Sequence, residues 1–182
     1  MYYFARYRSP LGNLLLAGDD TGIVGLWFEG AKYFGSTIPR DVTGSWIQDD
    51  LIDKSSLLRD CIKWLDDYFA GKKPRPSSLP LAPTGSDFRQ VVWKILTEIP
   101  YGELATYGQI AKEAARRMGK ERMSAQAVGG AVGHNPITII IPCHRVVGAG
   151  GNLTGYASGL ERKIKLLEHE GIDTGRLFLP KK

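Results

Sequence analysis

TYGQIAKEAARRMGKERMSAQAVGGAVG, residues 106–133, holds two helix signatures separated by a basic turn. Thr106 with Gln109 three residues on is a capping box: the hydroxyl accepts from the third amide and the glutamine reaches back to the cap amide. It opens a helix over 107–117. Ser124 is placed to cap a second helix over 125–133 through its hydroxyl. Two short helices joined in this way are the frame of a helix-turn-helix, whose second helix meets DNA. Other small helical domains fit the same pattern, so the segments around it carry the decision.

Downstream, the apolar run Ile137–Ile141 reads as a strand, and VVGAGGNLTGY (146–156) as a hairpin wing. Ser158 with Glu161 forms a second capping box before LERKIKLLEHE (160–170), which Gly171 closes. Upstream, Ser86 or Asp87 caps FRQVVWKILTEI, where Phe88, Val92, Ile95, Leu96 and Ile99 make an apolar stripe. The first 34 residues read as strands, with Asp19-Asp20-Thr21-Gly22 as a turn, which implies an antiparallel meander. From about Asp49 to Ala70 the apolar positions recur at helical spacing, and Gly71 supplies the stop. The proline-rich KKPRPSSLPLAPTG (72–85) is a linker or an extended wrap. The expected fold class is therefore α+β, with an α/β scaffold domain over 1–80 and a mainly helical winged helix-turn-helix domain over 81–182.

With 43% hydrophobic and 24% charged residues in 182, a soluble globular protein is expected. No run approaches the ~20 apolar residues of a membrane span, and MYYFARYRSP lacks the apolar core of a signal peptide. A cytoplasmic protein with no membrane association is expected. The net charge of +5 is unevenly distributed. Residues 1–85 carry ten basic and ten acidic residues, and residues 86–182 carry fourteen and nine. Lys112, Arg116, Arg117, Lys120 and Arg122 cluster against only Glu113 and Glu121, a patch that suits either phosphate backbones or a solvated helix face. The three histidines and two distant cysteines offer no zinc pattern or disulfide framework, so no metal and no cofactor is expected. Cys61 lies in the stripe Leu58, Cys61, Ile62, Leu65, Phe69 and reads as a core hydrophobe.

Cys143 stands differently. IIIPCHRVV (139–147) sets a thiol between an apolar run and a proline-bounded turn, followed at once by an imidazole and a guanidinium. A neighbouring proton acceptor or cation raises the thiolate fraction, and thiolate is the nucleophilic form. The bland alternative is an inert core cysteine beside an arginine that pins a turn. Local chemistry leaves both open.

The segment resembles the active-site motif of the O6-alkylguanine-DNA alkyltransferases, the methylated-DNA–protein-cysteine methyltransferases. The resemblance runs in order through FRQVVWKIL, IPYGELATYGQIA, AVGGAVGHNP, IPCHRVVG, LTGYASGLERK and LLEHEG, while SPLGNLLLAG resembles the amino-terminal domain of bacterial members. It implies a ribonuclease-H-like amino-terminal domain and a winged-helix domain bearing the acceptor cysteine. The implied activity is a single-turnover, irreversible transfer of an alkyl group from O6-alkylguanine in double-stranded DNA to Cys143, with O4-alkylthymine as a second candidate substrate. The protein would work as a monomer with no obligate protein partner.

The same resemblance makes His144 the base, acting through a water, and Glu170 the group that orients it. Tyr107 becomes the donor toward the departing guanine, and Asn135 the brace of the turn around the nucleophile. Tyr156, Ala157, Val146 and Arg145 fall at the substrate, with the Ala157 amide facing O6. Ser124, Gln126, Ala127, Gly129 and Gly130 fall on the DNA side of the second helix, with Arg116 and Arg117 nearby. That helix would enter the minor groove, which carries little sequence information and so suits repair at any guanine. One departure stands out: Gln126 occupies the place where many members carry an arginine that fills the space of the extruded base. Two other readings remain open, an alkylated-base binding protein without transfer activity and a winged-helix transcription factor with a structural cysteine. The intact PCHRV segment weighs against both.

Overall fold

Turn chemistry sets the register of the amino-terminal sheet. β1 (Tyr3–Ser9), β2 (Gly12–Asp19) and β3 (Gly22–Phe28) form an antiparallel meander in that order. Asp19 closes the second turn by accepting from the Thr21 and Gly22 amides and the Thr21 hydroxyl. All seven residues of β3 are buried, because the sheet is covered on both faces. Phe4, Leu15, Ala17, Val24 and Trp27 pack with Ile38, while α1 (Ser56–Phe69) packs against all three strands. Tyr7 Oη, at 2.8 Å from Asp66, ties β1 to that helix.

The structure, a computed structural model, describes residues 1–42 and 55–179. The expected start of the first helix, Asp49–Lys54, lies outside the described residues. Within them, Ser55 caps α1 by accepting from the Leu58 amide, and the helix buries Leu58, Cys61, Trp64, Leu65 and Tyr68. Burial pushes the Cys61 thiol up to about 12, as an inert core cysteine requires. The 72–85 segment is an extended wrap at its end: Ile23 N donates to Pro80 O and Ala82 N to Ile23 O, both at 2.8 Å.

The chain divides into two units, the described residues of Met1–Thr84 with Pro136–Thr138, and Gly85–Asn135 with the described residues of Ile139–Lys182. The return of Pro136–Thr138 to the first unit corrects the reading of Ile137–Ile141 as a strand. Leu26 takes up this piece in parallel, donating to Pro136 O at 2.8 Å and accepting from Thr138 N at 3.0 Å. The chain turns at once afterwards, with Ile139 at φ 69°. Asn135 Nδ2 donates to Ile141 O at 2.8 Å, and this closure of a short loop is incompatible with an extended strand between the two residues.

In the second unit the helices begin where their caps place them. Ser86 caps α2 (Asp87–Thr97), Thr106 and Gln109 form both halves of the capping box of α3 (Tyr107–Arg117), and Ser124 caps α4 (Ala125–Gly133). Trp93 Nε1 donates to Ala131 O at 2.8 Å, fixing α2 against α4. β4 (Ala105–Thr106) pairs in parallel with β5 (Val146–Val147), which brings the start of α3 beside the segment leaving Cys143. The expected hairpin over 146–156 does not form. The segment is instead a tight turn kinked at Gly150 (φ 70°), with Gly148 N donating to Asn152 O at 2.7 Å across it, and beyond the turn Leu153 N donates to Phe178 O. The expected Ser158–Glu161 capping box is also absent. The residue before α5 (Leu160–His169) is Gly159 at φ 94°, outside the extended region that a serine cap needs, and Glu161 pairs with Lys165 instead. The architecture is α+β, an antiparallel three-stranded sheet followed by a helical second unit.

Candidate active site

Pro142 ends the turn and Cys143–Arg145 form one 3-10 turn leading into β5. The Cys143 amide and the Asn135 side chain both donate to Ile141 O, each at 2.8 Å, so the turn bearing the thiol is held from two sides. Two residues before Ile141, Ile139 stands in the left-handed region, which is strained for a β-branched residue. Cys143 is 5% exposed and forms no disulfide.

Glu170 is the carboxy-terminal cap of α5, and its side chain is fully buried. His144 Nε2 lies 2.6 Å from Glu170 Oε1. With an ionised carboxylate opposite, Nε2 carries the proton, and Nδ1 is left as the acceptor. Nδ1 is buried and has no hydrogen-bond partner among the described residues. Burial pushes the imidazole's pKa down, Glu170 opposes this, and the charges of Arg145 and Lys163 add to the lowering, so His144 is a neutral base. For Glu170, burial favours the neutral acid, but the hydrogen bonds and charges of His144 and Arg145 outweigh it and hold the carboxyl well below the usual range. The Gly102 amide also donates to Glu170 Oε2 at 3.1 Å. Gly102 has φ 79°, and a Cβ there would lie 3.1 Å from the Glu170 carbonyl, so a side chain would press on the carboxylate's own backbone.

Tyr107 opens α3 and accepts from Thr154 Oγ1 at 2.9 Å, which leaves its own proton for donation. Burial raises its pKa and the Cys143 charge raises it further, against the Thr154 bond, so the phenol stays protonated. Lys163, 1% exposed on α5, donates to Val146 O at 2.5 Å and to Thr154 O at 3.4 Å. Burial pushes its ammonium down to about 8, and the Cys143 charge opposes the shift.

The structure brings Cys143, His144, Glu170, Tyr107 and Asn135 to one unit. Tyr156 and Ala157 are partly buried just ahead of α5. Val146 is fully buried, with its carbonyl engaged by Lys163. Arg145 was expected among the groups that meet the substrate. Its guanidinium is committed to Glu170 and to Ile99 O, and it is 5% exposed. On α4, Ser124, Gln126, Ala127 and Gly130 are exposed and Gly129 is half-buried, while a Cβ at Gly130 would meet nothing within 4 Å. Arg116 pairs with Glu113, and Arg117 is held by both Glu113 and Glu98. Lys112, Lys120 and Arg122 make no ion pair among the described residues, and with Arg116 they line a groove of about 380 Å³. Among the described residues no cluster of three or more His, Cys, Asp or Glu could hold a metal ion.

Lys163 was missed by the sequence reading. Leu160, Lys163, Leu167 and Glu170 share one helical stripe, so two ionisable residues sit in register with apolar ones, the signal that could have found it.

Residues 87–172 match the model of the 6-O-methylguanine DNA methyltransferase DNA-binding domain, and residues 2–83 that of the ribonuclease-like domain. The methylated-DNA–protein-cysteine methyltransferase of Methanosarcina acetivorans is 44% identical over 93% of this chain and 98% of its own. That of Haemophilus influenzae is 39% identical over 93% and 87%. Among solved structures, Mycobacterium tuberculosis OGT in complex with DNA superposes with a TM-score of 0.73 at 38% identity, covering 96% of this chain and 94% of that one. With both domain models matched and relatives this similar along nearly the whole length, the chain belongs to the 6-O-methylguanine DNA methyltransferase family.

Proposed function

We propose that this protein repairs DNA by taking the alkyl group of O6-alkylguanine onto Cys143, once and irreversibly. The observation that carries the reading is the buried His144–Glu170 bond, which commits Nε2 and leaves Nδ1 to accept a proton. The Cys143 proton passes through a water to His144, and the thiolate attacks the alkyl carbon. An S–C bond forms as the C–O6 bond breaks, and the electron pair leaves with guanine. Tyr107 donates a proton to the departing base and regains one from solvent, as His144 returns its own to solvent. The Ala157 amide faces O6, and Tyr156 and Val146 line the base. No group in the site reverses a thioether.

The substrate base is stacked in a duplex and must be extruded before the thiol can reach it. The exposed face of α4, with Ser124, Gln126, Ala127, Gly129 and Gly130, enters the minor groove. Arg116 and Arg117 flank it, and their carboxylate partners leave Lys112, Lys120 and Arg122 as the stronger phosphate contacts. Nucleophile, base and donor belong to one unit of one chain, which supports action as a monomer without an obligate partner. Binding of alkylated bases without transfer is disfavoured by the intact thiol and base.

Incubation with a duplex carrying isotopically labelled O6-methylguanine tests the reading. Label on the protein should plateau at one methyl per chain, and Cys143→Ser should bind the duplex but take up none. Many turnovers per chain, or uptake by the serine variant, would refute it.

A further inference from the structure

The buried carboxylate of Glu170 accepts from two side chains at once. Arg145 Nε donates to Oε2 at 2.8 Å and Nη2 to Oε1 at 3.0 Å, the same oxygen that meets His144 Nε2. The remaining nitrogen, Nη1, donates to Ile99 O at 2.6 Å, and the guanidinium carbon lies 5.7 Å from the centre of the Tyr101 ring. Tyr101 Oη is in turn anchored on His169 O at 3.2 Å. The arginine is therefore clamped by a carboxylate, a carbonyl and an aromatic face, with its side chain 6% exposed. A two-pronged pair of this kind fixes geometry as well as charge.

We propose that Arg145 is a positioning residue for the transfer, neutralising Glu170 so that His144 stays an uncharged imidazole whose Nδ1 is open to the Cys143 proton. The role rests on Cys143 being the acceptor. The charges that face His144 are Glu170 and Lys163 from α5 and Arg145 from its own turn. With Arg145 present, the charges of Glu170 and Arg145 cancel, and a proton on His144 has no buried carboxylate of its own to balance it. Without Arg145, the ionised Glu170 loses the guanidinium that balances its charge, and the imidazole would take its proton from solvent instead of from Cys143. A base already protonated cannot serve. Opposite charges at this range move a pKa by about 1–3 units, enough to carry a histidine across neutrality.

The test is nitrogen NMR of the His144 ring in the full-length protein, followed from about pH 5 to about pH 9, the range over which histidines switch. Wild type should show a neutral ring with the proton on Nε2 at pH 7. A protonated ring in wild type overturns the proposal outright, whatever the variants do. Arg145→Met should raise the ring's titration by about 1–3 units, and transfer from free O6-alkylguanine base should be slow at pH 7 and recover as pH rises. Arg145→Lys, which keeps the charge, should leave the ring neutral at pH 7. Arg145→Met/Glu170→Gln, which removes both charges, should return the ring to neutral. An unshifted ring in Arg145→Met, or a rate lowered equally at every pH, assigns Arg145 a packing role only and overturns the proposal. Because the ring titration is read without any alkyl donor, its failure is distinct from a failure of the transfer itself.

Discussion

Replacing Lys163 by methionine should leave stability near neutral pH almost unchanged while removing a stabilisation that wild type gains in alkali. Burial has moved this ammonium from 10.5 to about 8, a penalty of about 3 kcal/mol at about 1.4 kcal/mol per pKa unit. Because the folded value is the lower one, the penalty is complete below about 8. Between about 8 and 10.5 the unfolded chain binds a proton that the folded chain does not, so stability rises with pH across that window. Methionine abolishes the penalty but deprives Val146 O and Thr154 O of their donor, a loss of about 1.5–3 kcal/mol for a charged group. The two contributions nearly cancel at pH 7. By pH 10 wild type has shed most of its penalty, and the variant should be the less stable by about 2 kcal/mol. Urea midpoints measured for both proteins across this range give the difference directly. Stabilities that run parallel from pH 7 to pH 10 would refute the buried-ammonium argument. Alkyl transfer by Lys163→Met should also slow, because a positive charge acting on Cys143 is gone.

Removing Lys112, Lys120 and Arg122 together should lower the salt dependence of duplex binding by about 0.9 in slope for each phosphate that is no longer neutralised. The Arg116/Arg117 double variant should change the slope less, since Glu113 and Glu98 already hold those side chains; the opposite order would return the DNA-binding role to the paired arginines. Gln126→Arg should speed repair of O6-methylguanine in a duplex and leave the reaction with free O6-alkylguanine base unchanged. Gln126 is exposed in the first turn of α4, and arginine adds charge and stacking surface to a side chain filling the extruded base's place. Equal acceleration of both substrates would place residue 126 in the base pocket.

Where the chain's local chemistry agrees with its tertiary environment, the sequence was legible. Thr106 and Gln109, Ser86 and Ser124 carry complete cap signals, and α2, α3 and α4 begin at them. Ser158 and Glu161 carry an equally good signal, yet the backbone at Gly159 overrides it. Ile137–Ile141 misled because an apolar run reports burial without reporting conformation. Two backbone bonds from Leu26 and one side-chain bond from Asn135, residues far from or just outside the run, decide that it turns. The site divides in the same manner. Cys143 and His144 stand out by adjacency, whereas Glu170 and Arg145 lie 25 residues apart and their pairing is visible only in three dimensions. The sequence alone offered Arg145 as a residue that pins a turn and the family resemblance placed it at the substrate, whereas its fork pairs with the carboxylate behind the histidine.

The central claim is that Cys143 is the atom that keeps the alkyl group. After reaction with a duplex holding a single O6-methylguanine, the intact protein should gain the mass of one methyl group in place of one hydrogen. Its proteolytic fragments should carry that gain only on the peptide containing Cys143. An unchanged mass with the duplex still bound would make the protein a reader of alkylated bases, and a methyl on Cys61 or any other residue would contradict the site described for it.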